Sequence, residues 1–133
     1  MLRLSLAYIG ALVAMLVIDL LWLAVIAKNL YQSALGNLLA DKPNLGAAFV
    51  FYLLYPVGVV YFAIAPALAS ASLGQAALRG ALFGFFAYMT YEFTNLALIR
   101  GWPSSLVAID IAWGVALTTG VAVAGYSAAK WVS

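Results

Sequence analysis

Three of the four acidic residues in this chain lie inside long apolar segments. Asp19, Glu92 and Asp110 are each flanked mainly by aliphatic and aromatic residues. An ionised carboxylate in hydrocarbon costs at least ~2.5 kcal/mol, so these groups need partners that offset the cost. Carboxyl groups held in such surroundings suit proton exchange, cation binding or general acid–base chemistry. All three are therefore candidate catalytic residues.

Two tryptophans accompany two of these acids at the same spacing. The stretches IDLLW, residues 18–22, and IDIAW, residues 109–113, both place Asp three residues before Trp. Residues three apart share one face of a helix, so Asp19 lies beside Trp22 and Asp110 lies beside Trp113. Because lipid offers polar groups no partner, we expect both pairs to face the protein interior.

A stripe of polar residues carries the third acid. Tyr88, Glu92 and Asn95 fall at i, i+4 and i+7, which places them on one face of a helix. These three are candidate ligand-binding residues, together with Asp19, Trp22, Tyr52, Tyr55, Tyr91, Asp110 and Trp113. For each aromatic residue in this set, ordinary packing in the core is the alternative to contact with a ligand.

The elements that must position these residues are membrane-spanning helices. The chain has 133 residues, of which 68% are hydrophobic and 8% are charged, whereas soluble domains carry about 25% charged residues. Four apolar runs, residues 5–27, 46–69, 77–99 and 104–127, each approach the ~20 residues that a spanning helix needs. We predict an all-α fold, a single integral membrane four-helix bundle over residues 1–133.

A short interfacial helix is predicted between the first two spans. Residues 28–44, KNLYQSALGNLLADKPN, place apolar side chains at helical spacing beside Asn, Gln and Lys, and Pro43 ends the segment. We call the end of the bundle that carries this segment face B. The six basic residues divide three against three between the two ends, so the positive-inside rule does not determine the orientation.

The candidate residues share one depth. Counting about 1.5 Å per residue from face B places the three buried acids, with Tyr52, Tyr55 and Tyr91, roughly 9 to 14 Å below it. Pro56 cannot donate a hydrogen bond to the carbonyl of Tyr52, which predicts a free acceptor and a bend there. The sequence thus predicts a polar chamber that opens toward face B and whose carboxyl groups share protons.

Other residues near face B have simpler interpretations. Arg100 is the only nearby cation in the sequence that could hold one of the carboxyl groups ionised, so it joins the ligand-binding candidates. Trp102 is interpreted as an anchor at the level of the lipid headgroups. For the carboxyl groups themselves, a hydrogen-bonded network that only holds the helices together is the structural alternative.

Small residues indicate close helix packing. Gly80 and Gly84 form a G-x-x-x-G spacing, which lets helix backbones approach closely. A stripe of small residues on the fourth span has the same effect and comprises Ala112, Ala116, Gly120 and Ala124. Packing within one chain is the favoured interpretation, and a homodimer through either surface is the alternative.

Composition also excludes several classes of function. The chain contains no Cys and no His, so disulfides, thiolate chemistry and the usual zinc and haem ligands are excluded. We predict no metal site and no cofactor. The basic residues form no cluster, which argues against a nucleic-acid partner and leaves membrane lipids as the expected partners.

Four motifs carry a family resemblance over nearly the whole chain. In order, DLLWL, FYLLYPVG, YEFTNLALIRGWP and DIAWG resemble a bacterial family of small membrane proteins known as domain of unknown function 2177. One departure is Glu92, where the family pattern would have aspartate. The resemblance implies a four-helix, multi-pass protein of the bacterial inner membrane and implies no established activity.

Two functions of different class fit these observations. In the first, the chamber binds or processes a lipid-like or amphipathic molecule whose polar end meets the carboxyl groups while its tail lies between helices. In the second, the chain is a small transporter coupled to protons or cations. An accessory subunit of a larger membrane complex is a further alternative. The position of the acids nearer one face and their aromatic surroundings favour the first function.

Overall fold

The structure is a computed structural model that describes residues 1–132, apart from the side chains of Ile26 and Lys28. Helix accounts for 86% of the chain, and the described residues include no strand. The all-α prediction is therefore confirmed.

The first part of the chain forms a long helix and a short one. Helix α1 runs Leu2–Leu21 and continues through a π-helical turn at Trp22–Ile26. Helix α2, Lys28–Leu35, follows at the predicted position of the interfacial helix and leads into a 3-10 turn at Gly36–Leu38. Gly36 ends α2 with φ +51, a left-handed value that glycine adopts without steric cost.

The remainder forms three further long helical stretches. Helix α3, Leu45–Val59, is joined to α4, Ala65–Ala69, by a π-helical turn at Val60–Ile64. Helix α5 runs Leu73–Leu98, and α6 runs Ser104–Lys130. The side chains of the residues before α3 and α5 cap their first turns, as Asn and Ser commonly do at helix N-termini.

Three of the helical stretches are long and apolar enough to cross a membrane. They comprise residues 2–25, 45–69 and 104–130. The prediction of four spans is therefore confirmed only for three. Helix α5 has 26 residues but lies outside this set, because Arg79, Glu92 and Asn95 lower its average hydropathy.

Helix α6 lies at the centre and packs against both α5 and α1. A Cβ on Gly80 would lie 2.9 Å from the carbonyl oxygen of Thr118, and one on Gly84 would overlap the carbonyl of Gly114. Both glycines of the G-x-x-x-G spacing are thus buried between α5 and α6 of one chain. A homodimer through the exposed Ala112 and its neighbours on α6 stays a prediction.

Pro56 is buried inside α3, and the helix continues past it into the π-helical turn. The hydroxyl of Tyr8 on α1 donates a hydrogen bond of 2.9 Å to the carbonyl of Leu53. The side-chain donor near the proline thus reaches Leu53 rather than the carbonyl of Tyr52, where a free acceptor was predicted. Helix α3 packs against α1. Helix α5, which packs mainly on α6, contacts this part of the chain chiefly at the turn that follows α3.

Candidate functional site

The three acids predicted to face inward are all buried near the same end of the helices. Asp19 on α1 is 8% exposed, Glu92 on α5 is 0% exposed and Asp110 on α6 is 5% exposed. Asp19 and Asp110 lie around a common neighbour, because the Tyr31 hydroxyl interacts electrostatically with both carboxyl groups. Glu92 and Asp110 are within hydrogen-bonding reach of each other. The structure therefore brings the three carboxyl groups into one cluster.

Asp19 receives hydrogen bonds on both carboxyl oxygens. The Tyr52 hydroxyl of α3 donates to Oδ2 in a short contact, and Trp113 Nε1 of α6 donates to Oδ1 at 3.4 Å. Each oxygen of this carboxyl group therefore accepts a hydrogen bond from a side chain of another helix. These contacts tie α1 to α3 and to α6 at the level of the cluster.

Asp110 receives its hydrogen bond from a residue that the sequence analysis did not include. The Tyr31 hydroxyl of α2 donates to Asp110 Oδ1 at 2.8 Å, and Trp22 Nε1 donates to the Tyr31 hydroxyl at 3.3 Å. Burial raises the pKa of the Tyr31 hydroxyl well above its ordinary value, and its bond to Asp110 acts in the same direction. The hydroxyl therefore stays protonated and remains a donor.

A signal for Tyr31 was present in the sequence. Ala27, Tyr31 and Ala34 fall at i, i+4 and i+7, so they share one face of the interfacial helix. Ala27 is buried and the other two are partly buried. The inward face of α2 thus carries a tyrosine directly over the carboxyl cluster.

The two Asp-x-x-Trp motifs pack against each other crosswise. Trp22 and Trp113 stack with their ring centroids 4.2 Å apart and an interplanar angle of 10°. Each tryptophan donates toward the acid of the other helix: Trp113 directly to Asp19, and Trp22 through Tyr31 to Asp110. The motif that repeats in the sequence therefore forms one joint feature between α1 and α6.

Glu92 has a different set of neighbours. Trp102, in the turn before α6, donates from Nε1 to Glu92 Oε1 at 3.0 Å, so its interpretation as a simple headgroup anchor is incomplete. The other oxygen, Oε2, is buried and has no donor among the described residues. Because Asp110 lies within hydrogen-bonding reach, a proton shared between the two carboxyl groups would satisfy both.

The tyrosines form the wall beside this cluster. The hydroxyl of Tyr55 and Oγ1 of the buried Thr118 are 2.8 Å apart, a contact that the sequence analysis did not predict. The ring of Tyr88 packs on Gly114, where a Cβ would overlap it. Tyr88 is also close enough to Asp19 and Asp110 to feel their charges.

An aromatic cavity opens next to these tyrosines. Its volume is about 430 Å³, and it lies between α3 and α5. The residues that line it are Phe51, Tyr55, Ala87, Tyr88 and Tyr91. The cavity exists because α5 packs closely on the π-helical turn beyond α3 but little on α3 itself.

Two predicted site residues lie apart from the cluster. Asn95 interacts with Tyr91, which is 52% exposed and packs edge-on against Trp102. Arg100 is exposed at the end of α5, and no ion pair between it and the buried carboxyl groups occurs within the described residues. The cluster therefore has no arginine counter-ion of the kind the sequence suggested. Within residues 1–132, no three acidic side chains are arranged to hold a metal ion.

The fold and the site define a helical membrane protein with a network of buried carboxyl groups near one end of its helices. A family model described as "Predicted membrane protein (DUF2177)" matches residues 4–127, and the chain belongs to this family. The resemblance drawn from the four motifs is thereby confirmed. No curated protein matches the chain, and no solved structure matches it.

Proposed function

We propose that the chain binds an amphipathic molecule whose tail occupies the aromatic cavity and whose polar end meets the carboxyl network. The single observation that carries this proposal is the position of the cavity between α3 and α5, beside the buried acids. Tyr88 belongs to both, since it lines the cavity and lies within the field of Asp19 and Asp110. Cavities of roughly 300 to 1,000 Å³ are the usual size for small-molecule sites.

We also propose that the chain crosses the bacterial inner membrane with four spans. Helix α5 is the fourth, because 26 residues correspond to roughly 39 Å at 1.5 Å per residue, more than the hydrocarbon core requires. Its polar residues Glu92 and Asn95 face the protein rather than lipid, since the first is buried and the second partly so. Helix α2 then lies at the membrane surface, above the carboxyl network.

In this arrangement the cavity opens sideways between two helices. Phe51 on α3 is 40% exposed, and Tyr91 on α5 is 52% exposed. An amphipathic molecule could therefore enter from the lipid with its tail still in an apolar environment. Its polar end would not need to cross the bilayer midplane.

The network contains the groups that acid–base chemistry requires. Asp19, with two donors, suits a base, and the Glu92–Asp110 pair with a shared proton suits an acid. The chain could thus process as well as bind its ligand, with Asp19, Glu92 and Asp110 as the candidate catalytic residues.

The test is mass spectrometry of molecules that stay bound to gently purified protein. Wild type is compared with Asp19→Asn and Asp110→Asn, and Asp41→Asn in the exposed loop is the matched control. We expect a lipid-like molecule on the wild type and the control, and its loss from the other two variants. Equal retention by all four folded proteins, or none by any, would overturn the proposal.

A proton-coupled transporter is the second candidate, and the Glu92–Asp110 pair favours it. Two acids in hydrogen-bonding reach can exchange a proton with a substrate or with water at face B. Purified protein in liposomes that enclose a pH-sensitive dye would reveal such coupling. A proton flux that depends on an added organic cation and is lost in Glu92→Gln would support transport, and its absence would exclude it.

A further inference from the structure

The walls of the cavity between α3 and α5 are almost entirely aromatic. Four of its five lining residues are Phe51, Tyr55, Tyr88 and Tyr91, and the fifth is Ala87. The aromatic rings come from both helices, with Phe51 and Tyr55 on α3 and Tyr88 and Tyr91 on α5. The faces of aromatic rings carry negative potential, which attracts a cation placed over them within about 6 Å of the ring centre.

The charged groups that act on the cavity are acidic. Tyr88 lies within the field of both Asp19 and Asp110. None of the lining residues is basic. Arg79 of α5 lies in a separate groove with Phe62 and Phe83, and Arg100 is exposed just beyond the end of α5. The cavity is thus negative without a cation of its own among the described side chains.

Four hydrogen-bond donors near the acids are already engaged. Tyr52 and Trp113 donate to Asp19, Tyr31 donates to Asp110, and Trp102 donates to Glu92. Glu92 Oε2, by contrast, is an acceptor without a described donor. A ligand with an anionic end would meet the like charge of the acids, whereas a positively charged end would meet opposite charge and the faces of the aromatic rings.

We propose that the amphipathic ligand is cationic, with an ammonium group held among the rings of Tyr55, Tyr88 and Tyr91 in front of the carboxyl network. This inference rests on the proposed binding function and specifies the charge of its ligand. The apolar tail lies along the outer part of the cavity, against Phe51 and the lipid. Charge complementarity sets the orientation, because Tyr88 lines the cavity and lies within the field of Asp19 and Asp110.

Three probes with the same tail and different ends test the charge. Dodecyltrimethylammonium, dodecanol and dodecanoate are each equilibrated with the full chain in nanodiscs of uncharged phosphatidylcholine. Binding is measured by dialysis with radiolabelled probe, and empty nanodiscs correct for partition into lipid. We expect saturable binding of the ammonium probe, at least about 10-fold tighter than the alcohol, and no saturable binding of the carboxylate.

The variants are chosen on one exposed stretch of α5, so that folding is preserved. Tyr91→Leu removes a ring that lines the cavity, and Tyr91→Phe keeps the ring but removes its hydroxyl. Phe93→Leu is the matched control, because Phe93 is 51% exposed and does not line the cavity. We expect Tyr91→Leu to weaken ammonium binding by roughly 3- to 30-fold, the range of one cation–π contact, and the other two to bind as wild type does.

The possible outcomes distinguish a wrong ligand charge from a failure of the proposed binding function. If dodecanol or dodecanoate binds as tightly as the ammonium probe, the cavity takes amphipathic molecules but the inferred charge is wrong. If Phe93→Leu weakens binding as much as Tyr91→Leu, the cavity is not the site and the inference fails. If none of the three probes binds saturably to folded protein, the proposed binding function fails as well.

Discussion

Trp22 and Trp113 stack face to face, with their centroids 4.2 Å apart, at the point where α1 and α6 meet. Each indole N–H donates toward the acid that belongs to the other helix's motif. The aspartate of each Asp-x-x-Trp stretch is therefore linked to the tryptophan of the other stretch, directly for Asp19 and through Tyr31 for Asp110. Neither aspartate accepts a hydrogen bond from the tryptophan of its own stretch. This crosswise arrangement explains how two carboxyl groups are kept inside a membrane protein with no arginine or lysine beside them among the side chains that the structure describes.

The hydrogen bond from Trp113 to Asp19 gives the first prediction. Trp113→Phe keeps an aromatic ring against Trp22 but removes the N–H donor. We expect the free energy of unfolding to fall by roughly 1 to 2 kcal/mol, which overlaps the ranges for neutral hydrogen bonds and for bonds to charged groups, because the 3.4 Å contact is long. Thermal unfolding in nanodiscs measures the change.

A second tryptophan substitution is the control for that measurement. Trp131 is 89% exposed at the end of α6, so Trp131→Phe should leave the unfolding temperature within error of wild type. If Trp113→Phe is equally neutral, the hydrogen bond to Asp19 does not stabilise the fold.

The second prediction concerns the attachment of α2. Tyr31→Phe removes the donor that links this helix to Asp110 and to Trp22. We expect faster amide hydrogen exchange across residues 28–38, because α2 then loses its polar contacts with the bundle, while α6 keeps its protection. Hydrogen-exchange mass spectrometry of the variant and wild type gives the comparison.

Tyr61→Phe provides the matched substitution, since Tyr61 is 71% exposed on the surface of the helical bundle. Unchanged exchange in that variant and faster exchange in Tyr31→Phe would support the role of Tyr31. Equal exchange in all three proteins would mean that apolar packing alone holds α2 in place.

The third prediction tests the close approach of α5 and α6. Gly84→Ala places a methyl group against the carbonyl of Gly114 and the side chain of Thr118 on α6. We expect a loss of about 1 to 3 kcal/mol in the free energy of unfolding from overpacking. The contact between Tyr55 and Thr118 should weaken as well, because the methyl group displaces the threonine side chain.

Gly74→Ala is the comparison, because a Cβ there would meet only the Ser72 hydroxyl at 3.7 Å. Since alanine favours helix over glycine by up to about 1 kcal/mol, this variant should be as stable as wild type or slightly more stable. Denaturant titration of both variants in one detergent measures the change in the free energy of unfolding. No change in Gly84→Ala would contradict the close packing of α5 on α6.

The fourth prediction concerns the proton between Glu92 and Asp110. Glu92→Gln keeps an acceptor for Trp102 and offers an amide donor to Asp110, so we expect the variant to fold. The variant, however, lacks the second carboxyl group with which Asp110 could share a proton. Infrared spectroscopy at neutral pH should therefore detect the carbonyl stretch of a protonated carboxyl group in wild type but not in Glu92→Gln.

Asp41→Asn supplies the reference spectrum, because Asp41 is exposed in the loop and its removal should leave that band unchanged. Absence of the band from wild type itself would mean that both carboxyl groups are ionised and that some other donor or cation satisfies them.

Much of the fold was predictable because lipid imposes simple rules. The run predicted over residues 46–69 is helical from residue 45 to residue 69, and the run at 104–127 extends to residue 130. The interfacial segment was recognised from polar residues beside a helical apolar pattern, and it contains α2. The span over α5 was harder to assign, because the residues that form the site also lower the hydropathy of that helix.

The candidate site was predictable in its acids and less so in their partners. Asp19, Glu92 and Asp110 are all buried, as expected for charged groups in apolar segments. The donors from loops and short helices were missed: Tyr31 comes from α2, and Trp102 comes from the turn before α6. The paths of such segments depend on packing that no periodicity encodes.

The sequence by itself determined that the chain is helical, that it belongs in a membrane and that Asp19, Glu92 and Asp110 face inward. Those conclusions follow from hydrophobicity, helical spacing and the cost of an unsatisfied charge in lipid, each of which acts locally along the chain. Only the tertiary structure decided which donor meets which acid and where the aromatic cavity opens. Helix rotation and separation set those contacts, and they result from side chains of several helices packing at once, as where α3 leaves α5 beside Tyr55 and Tyr88.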